Sequence, residues 1–206
     1  FASESRTGTN PISLAAPSKK YPYFLFDAAT SSIAGNKVRL VARNGTKLSP
    51  GSIGDKKGNP IMEPMSVDVS EDFIDIPNLL PLGGNREQGS HKGYGLSLFV
   101  EILCTILSGN VPNMVDPNGN LCHFFAAFNI ESFTEYNTFV FNMDAMLETL
   151  LDTPPTDEAD RVIYPGIMEY ENEQERIENG IPLHQEVVEW FSGISKSMKI
   201  DSVKLL

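Results

Sequence analysis

The chain has 206 residues, of which 41% are hydrophobic and 21% are charged, and its formal net charge is −11. These values are ordinary for a globular domain that buries its own core. The acidic balance argues against a general nucleic-acid surface or an anionic-membrane surface, because both need a basic footprint. An anionic small ligand would need positive charge of its own at the site that binds it.

The two cysteines are too few and too oddly placed for a disulfide framework or a zinc cluster. Cys104 lies within an apolar run and is expected to be a buried thiol in a reducing compartment, which predicts a cytoplasmic location. The run, residues 96–107, is interrupted by Glu101 and is too short to span a bilayer. The histidines are dispersed along the chain, so no metal site is predicted: His91, His123 and His184.

The first predicted element is a short strand after a turn. Gly8 and Asn10-Pro11 punctuate the sequence, and apolar residues at 12 and 14 then alternate with small ones. Another loop, dense in glycine and proline, is predicted over residues 47–64.

A buried strand is predicted at residues 24–26, with Asp27 at its carboxyl end. Ligands of open α/β sheets bind beyond the carboxyl ends of the strands, and the small residues that follow Asp27 would let a ligand approach the backbone. Asp27 is therefore a candidate for orienting a ligand. The alternative is that Asp27 and the hydroxyls at 30–32 cap a helix, and the residues alone leave both open.

Residues 79–109, "LLPLGGNREQGSHKGYGLSLFVEILCTILSG", place a glycine-rich loop ahead of an apolar run. Such a loop often faces a phosphate or another anion, and it can equally be a turn that caps a buried helix. The run is apolar on nearly every face, which predicts a central helix buried on all sides over 95–107. Glu101 in its middle needs a partner, and a lysine, an arginine or a backbone donor is expected there.

The remaining sequence predicts two strands and two helices. "HFFAAFNI" (123–130) and "YNTFVFNM" (136–143) are typical of strands. "DAMLETLLDT" predicts a helix that ends before Pro154, and residues 181–200 predict a closing helix with one apolar face. The acidic runs between 131 and 189 read as solvated surface. No GxGxxG follows a strand and no P-loop occurs, so a Rossmann unit is not indicated.

Three segments resemble the type-2 malate/L-lactate dehydrogenase family: "GTNPISLAAP", "FDAATSSIAGNKVRL" and the whole of 79–109. Later landmarks of the family are resembled by "PGSIGDKKGNPIMEP", "CHFFAAFNI" and "NGIPL", in order along nearly the whole chain. The family also includes ureidoglycolate, sulfolactate and cyclic-imine 2-carboxylate oxidoreductases. The resemblance implies an α/β fold with a mixed sheet flanked by helices, like that of sulfolactate dehydrogenase and unlike a Rossmann fold.

The resemblance also implies a function, which is the interconversion of 2-hydroxy acids and 2-keto acids with NAD or NADP. The expected partners are that small acid and a second copy of the chain, with neither nucleic acid nor membrane. By resemblance, Asp27 lies near the reacting centre as a catalytic residue and also contacts the cofactor. Gly93 is expected to let the dinucleotide approach a backbone that any Cβ would obstruct. The full set of implied cofactor-binding residues is Thr9, Asn10, Asp27, Ala28, Ala29, Lys92, Gly93, Tyr94, Pro165 and Gly166.

In the family, the catalytic histidine and the residues that grip the substrate carboxylate precede the "GTNP" segment. Residues 1–206 are therefore expected to be the cofactor-binding core plus the carboxyl-terminal elements of such an enzyme. Alone they are expected to be inactive, and a separate amino-terminal chain could complete them. The "NREQGS" stretch before "HKGYG" and the "PGIM" at 165–168 depart from the family's "GGYKGYG" and "PGE" patterns. They favour the alternative, a non-catalytic structural or interaction module derived from the same fold.

Overall fold

A computed structural model describes residues 2–67 and 78–202 of the protein. The chain divides into two compact units. The first unit comprises Phe1–Leu14 and Phe26–Thr134, and the second comprises Ala15–Leu25 and Glu135–Leu206.

In the described residues two strands precede the first helix, four short strands follow it, and the later elements are helical. The strands are β1 (Ile12–Ala16), β2 (Phe24–Ala28), β3 (Lys47–Leu48), β4 (Ile53–Gly54), β5 (Met65–Ser66) and β6 (Asn78–Leu79). The α-helices are α1 (Gly35–Arg43), α2 (Ser90–Glu101), α3 (Tyr136–Leu151), α4 (Ile167–Asn179) and α5 (Gln185–Met198). A π-helical turn, Ile102–Ile106, extends α2, and a 3-10 turn spans Ile130–Ser132.

The sheets are small, and each has two strands. β1 pairs with β2, β3 pairs antiparallel with β5, and β4 pairs antiparallel with β6. The α/β class is confirmed by these elements. A single mixed sheet flanked by helices is not what the described residues form, because four of their six strands are only two residues long.

Both strands predicted between residues 123 and 143 are wrong. Residues 123–129 pair with no strand in the described part of the chain, and a strand exists only through its hydrogen-bonded ladder. Residues 136–143 belong to α3, where the buried Val140 and Leu147 lie two helical turns apart on one face. A short run of aromatic and polar residues fits a strand and a helix equally well, and only its continuation to residue 151 reveals the helical period.

The apolar run around α2 also differs from its prediction. The helix begins at Ser90, five residues before the predicted start, and it is not buried on all sides. The apolar side chains of Leu96, Phe99 and Ile102 are 40%, 48% and 51% exposed. Small and polar residues make up most of its buried face: Ser90, Gly93, Ser97 and Val100. An apolar helix sequence shows that every face of the helix could be buried. Burial of a face also requires another element that packs against it.

The core of the first unit forms where α1 meets the small sheets. Val38 and Val41, three residues apart on one face of α1, pack with Leu48 and Ile53. Burial of each such side chain contributes about 1.5–3 kcal/mol to the stability of the fold. α1 has Ala34 as its N-cap and no side-chain cap, so the alternative in which Asp27 and residues 30–32 cap a helix is wrong.

The second unit packs around Leu147, Tyr164 and Ile167. The Tyr164 hydroxyl donates a 2.9 Å hydrogen bond to the carbonyl of Pro22, and burial raises its pKa. The closing helix is confirmed as α5, with half-buried apolar residues along one face: Val187, Val188, Phe191 and Ile194. Within the described ranges, no helix is long and apolar enough to cross a membrane.

Asp144 on α3 accepts hydrogen bonds from the turn at residues 19–20, and the contribution of these bonds to stability can be tested by mutation. Its Oδ1 accepts the backbone N–H groups of Lys20 and Lys19, both at 3.0 Å, and the bond from Lys20 is the main cause of a lowered Asp144 pKa. A lowered folded pKa means that the ionised carboxylate stabilises the fold above its unfolded pKa of about 4, and that this contribution is lost as the pH falls through the folded pKa. We therefore expect Asp144→Ala to lower the urea midpoint at pH 7 and to change it little at pH 3.

The matched control for this prediction is Asp157→Ala. Asp157 is exposed and makes no hydrogen bond with any described residue, so its replacement should leave the urea midpoint unchanged at both pH values. A loss of stability in Asp144→Ala of the same size at pH 7 and pH 3 would contradict the electrostatic account and indicate a role in packing.

Candidate functional site

Three segments of the first unit meet at Thr30. Its backbone N–H donates to the carbonyl of Thr9 at 2.9 Å, and its hydroxyl lies 3.1 Å and 3.0 Å from the carbonyls of Thr9 and Asn10. The Thr30 carbonyl in turn accepts the N–H of Leu82 at 2.9 Å. Thr30 is buried, so these bonds fix the "GTNP" segment against the start of the glycine-rich loop.

Asn10 connects α2 to this framework through two hydrogen bonds. Its φ is +36°, in the left-handed region that asparagine tolerates better than most residues. Its Nδ2 donates to the carbonyl of Ser97 at 3.0 Å and to Oε2 of Glu101 at 3.2 Å. Glu101 therefore does have a partner, but it is a side-chain amide and not the lysine, arginine or backbone donor predicted. The Asn10 amide N–H groups are directed to α2. Its predicted cofactor contact remains a prediction.

A pocket of about 250 Å³ opens within this framework. Its lining is uncharged, and most of its residues carry a hydroxyl group. The hydroxyl-bearing residues are Ser5, Thr7, Thr9, Thr30, Ser31, Tyr94 and Ser97, and the others are Gly8, Leu79 and Pro81. Two of the predicted cofactor-binding residues, Thr9 and Tyr94, are thus brought together although 85 positions separate them in the sequence. Thr30, Ser31 and Ser97 were not predicted, although Ser97 follows Tyr94 by about one helical turn.

The glycines of the loop before α2 permit close packing within the protein. A Cβ on Gly93 would lie 2.3 Å from the carbonyl oxygen of Leu82 and 2.5 Å from its nitrogen. A Cβ on Gly83, where φ is +99°, would lie 2.7 Å from the carbonyl carbon of Gly89. Gly93 is therefore buried within α2 and packs against Leu82, and its predicted cofactor contact remains a prediction.

Lys92 and Asp27 are exposed in the first unit and do not line the pocket. Lys92 is the third residue of α2, and its side chain runs back past Gly89. Neither Lys92 nor Asp27 makes an ion pair or a hydrogen bond with a described residue. Asp27 lies within β2 and not beyond it, with half-buried Ala28 and Ala29 after it. The strand itself is only half-buried and Phe26 is exposed, contrary to the prediction of a buried strand.

Pro165 and Gly166 belong to the second unit, where they contact the first residues of β2. The carbonyl of Pro165 accepts the N–H of Leu25 at 3.0 Å. Gly166 has a φ of +99°, and a Cβ there would lie 2.8 Å from the nitrogen of Leu25. This packing accounts for the glycine, and the predicted cofactor contact of both residues remains a prediction.

The fold and the pocket define an α/β protein with a small cavity, lined largely by hydroxyl-bearing residues, beside a glycine-rich loop. In the described ranges, no group of three histidine, cysteine, aspartate or glutamate side chains could hold a metal ion. Residues 1–192 match the malate/L-lactate dehydrogenase family. The chain belongs to that family, which confirms the resemblance found in the sequence.

Known relatives support this assignment across most of the chain. Malate dehydrogenase of Pyrococcus abyssi is 36% identical over 204 residues, which cover 96% of this chain and 54% of that protein. The crystal structure of malate dehydrogenase from Entamoeba histolytica matches with a TM-score of 0.80 and 29% identity, over 93% of this chain and 55% of that one. Sulfolactate dehydrogenase from Methanocaldococcus jannaschii matches with a TM-score of 0.70 and 28% identity, over 94% and 54%. The chain therefore spans about half the length of the curated relatives it matches.

Proposed function

We propose that the chain carries the cofactor-binding portion of an NAD(P)-dependent dehydrogenase that acts on 2-hydroxy acids. The observation that supports this most is the pocket, which joins Thr9 of the "GTNP" segment to Tyr94 of the glycine-rich segment. Malate and lactate, which appear in the names of the family and of its relatives, are both 2-hydroxy acids. The relatives' names differ in the particular acid, so the proposal concerns the class of substrate.

The residues of the first unit suit different parts of a dinucleotide. The pocket is smaller than the usual 300–1,000 Å³ of a site for a drug-sized ligand, so it would take one end of the cofactor. Its lining has no cation, and the phosphates would therefore need another group. Lys92, exposed in the first turn of α2, is the proposed group, because a helix N-terminus and a lysine both favour an anion.

Asp27, Ala28 and Ala29 enter the proposal through their position in the chain. They directly precede Thr30 and Ser31, which line the pocket, so the chain itself brings them to its edge. When bound, the nicotinamide cofactor would supply or accept the hydride. Asp27 has no partner among the described residues, and its carboxylate could orient the reacting group by accepting a hydrogen bond.

Lys92→Ala tests the proposed contact with the cofactor. A charge-assisted hydrogen bond to a phosphate is worth about 1.5–3 kcal/mol, and an exposed lysine should fall at the lower end, so we expect about tenfold weaker binding. Titration of NADH and NADPH, followed by their fluorescence, measures this and also shows which of the two is preferred. Because Lys92 has no ion pair with a described residue, the melting temperature should change little.

Lys56→Ala is the matched control. Lys56 is an exposed lysine of the same unit, and its loss changes the net charge by the same amount without altering the start of α2. Equal affinities in wild type and Lys92→Ala would remove Lys92 from the proposal. If the wild-type chain binds neither cofactor, the dehydrogenase proposal fails and the non-catalytic interaction module takes its place.

A further inference from the structure

Asparagine followed by glycine, the dipeptide most prone to spontaneous deamidation, occurs three times in the chain: Asn44-Gly45, Asn118-Gly119 and Asn179-Gly180. In this reaction the backbone nitrogen of the glycine attacks the side-chain amide carbon of the asparagine. A succinimide ring forms, the backbone nitrogen loses its proton and ammonia leaves. Water then opens the ring at either carbonyl, which yields aspartate or isoaspartate. Glycine favours ring closure because it has no Cβ to obstruct the approach.

Asn44 has the least restrained side chain of the three asparagines. It is the exposed C-cap of α1, and its side-chain amide makes no hydrogen bond with a described residue. The amide of Asn118 donates to Oδ1 of Asp116 at 3.4 Å, and that of Asn179 donates to Oε1 of Glu175 at 3.5 Å. Rotation of the side chain toward the next backbone nitrogen therefore breaks a hydrogen bond at Asn118 and at Asn179, but not at Asn44.

The glycine that must move is also the least restrained at this position. Gly45 is exposed, and nothing lies within 4 Å of the place that a Cβ on it would occupy. Gly119 and Gly180 are half-buried, and a Cβ on Gly119 would lie 2.5 Å from Oδ1 of Asn113. Each of the three glycine N–H groups donates one backbone hydrogen bond, so that restraint is common to the three sites and favours none of them.

The charges beside the three sites favour the same asparagine. Negative charge develops on the attacking nitrogen and on the amide oxygen, so a neighbouring cation lowers the barrier and a neighbouring anion raises it. Arg43 directly precedes Asn44, and α1 contains three basic residues and no acidic one. Asp116 and Glu175 instead place a carboxylate against each of the other two amides.

We propose that Asn44 is a modification site of this chain, which deamidates by ring closure onto Gly45 and does so ahead of the other two Asn-Gly sites. The proposal is independent of the dehydrogenase function, since water is the only co-reactant. The new carboxylate lies at the C-terminal end of α1, where the helix dipole disfavours an anion. Isoaspartate also lengthens the backbone beside the 2.9 Å bond from the N–H of Thr46 to the carbonyl of Val41, a residue of the first unit's core. Deamidation at Asn44 therefore weakens the first unit.

Peptide mapping of the whole chain by mass spectrometry tests the order of the three sites within one molecule. The folded protein is incubated at pH 8 in water labelled with heavy oxygen, so that only acid formed during the incubation carries the label. We expect labelled product to accumulate about fivefold faster at Asn44 than at Asn118 or Asn179. The reference is the chain unfolded in urea, where the contacts that distinguish the sites are lost and the three rates should converge.

Equal rates at the three sites of the folded chain would overturn the proposal, and so would a faster reaction at Asn118 or Asn179. An undiminished preference for Asn44 in urea would assign the order to sequence neighbours and overturn its structural basis.

Asn44→Gln connects the modification to its effect on the fold, with Asn118→Gln as the matched control. Glutamine would have to form a larger ring and reacts far more slowly. Melting curves of fresh samples show that both variants fold. After incubation, wild type and Asn118→Gln should melt at a lower temperature than their fresh samples, whereas Asn44→Gln should keep its melting temperature. An equal loss in Asn44→Gln and wild type would overturn the proposed effect of Asn44 on the first unit.

Discussion

Replacement of Gly93 by alanine is expected to lower the free energy of unfolding of the first unit by about 1–3 kcal/mol. The new Cβ would lie 2.3 Å from the carbonyl oxygen of Leu82, 2.5 Å from its nitrogen and 2.8 Å from its Cα. All three are backbone atoms, so no side-chain rotation can relieve the overlap. Leu82 is also bonded to Thr30, and its displacement would disturb the framework of the pocket.

Gly95→Ala is the matched control, because the same change two residues later meets nothing within 4 Å. Alanine in place of a glycine inside a helix should raise stability by about 1 kcal/mol. Urea denaturation followed by circular dichroism would compare the two variants with the wild type, and titration of NADH would follow their binding. If Gly93→Ala remained as stable as the wild type and lost only cofactor affinity, Gly93 would border a ligand, as the sequence led us to expect, and its close packing on Leu82 would be refuted.

The structure of the glycine-rich segment, residues 79–109, could be predicted only in part from its sequence. A loop followed by a helix was predictable, because glycines crowd ahead of a run without helix breakers. Which glycines pack against backbone was not, because Gly93 and Gly95 look alike in sequence and differ only in what lies opposite them. That neighbour, Leu82, is eleven residues away from Gly93, and hydrophobic periodicity contains no information about it.

The burial of apolar residues was the least predictable property of the fold. Phe125 and Phe128 are 89% and 74% exposed, although an aromatic run of this kind is typical of a buried strand. The sequence shows that such side chains favour burial, but whether a neighbouring element covers them depends on the tertiary fold. The described residues provide no strand for 123–129, and the predicted second copy of the chain remains a prediction.

The candidate site was predictable only where the family resemblance identified its residues. Thr9 and Tyr94 came from the motifs, and the structure places both in one pocket. Ser97 could not be identified in the same way, because a serine within "GLSLFVE" reads as a small residue that allows helix packing. Its distinguishing property is a buried hydroxyl without a partner among the described residues, which depends on the position of every neighbour.

We expect the isolated chain to have no measurable keto-acid reductase activity, even if it binds the cofactor. Reduction of a carbonyl group requires a proton donor within hydrogen-bond reach, and such a donor typically contributes a factor of about 10²–10⁴ to the rate. The residues that line the pocket include no histidine and no carboxylic acid. His91 and His123 are exposed elsewhere in the first unit, and His184 belongs to the second unit, where it caps α5.

The carboxylate of the substrate presents a second obstacle. A 2-keto acid is held most strongly by a charge-assisted hydrogen bond from an arginine or a lysine, and the pocket lining contains neither. The family resemblance places both the histidine and the carboxylate-binding residues before the "GTNP" segment, and the pocket lining supplies neither group. With saturating NADH, the purified chain should therefore reduce oxaloacetate and pyruvate no faster than the buffer alone.

The measurement is the loss of NADH absorbance, with calorimetry on the same sample to show that cofactor binding is intact. Full-length malate dehydrogenase of Pyrococcus abyssi, 36% identical over the matched region, serves as the positive control. Addition of the part of that relative that precedes the match should raise the rate if the pocket is the cofactor half of an active site. Turnover by the chain alone would refute this prediction and would place a proton donor among its own residues, with His91→Ala and His123→Ala as the variants that identify it. Cofactor binding without turnover, with or without the added segment, would favour the non-catalytic module.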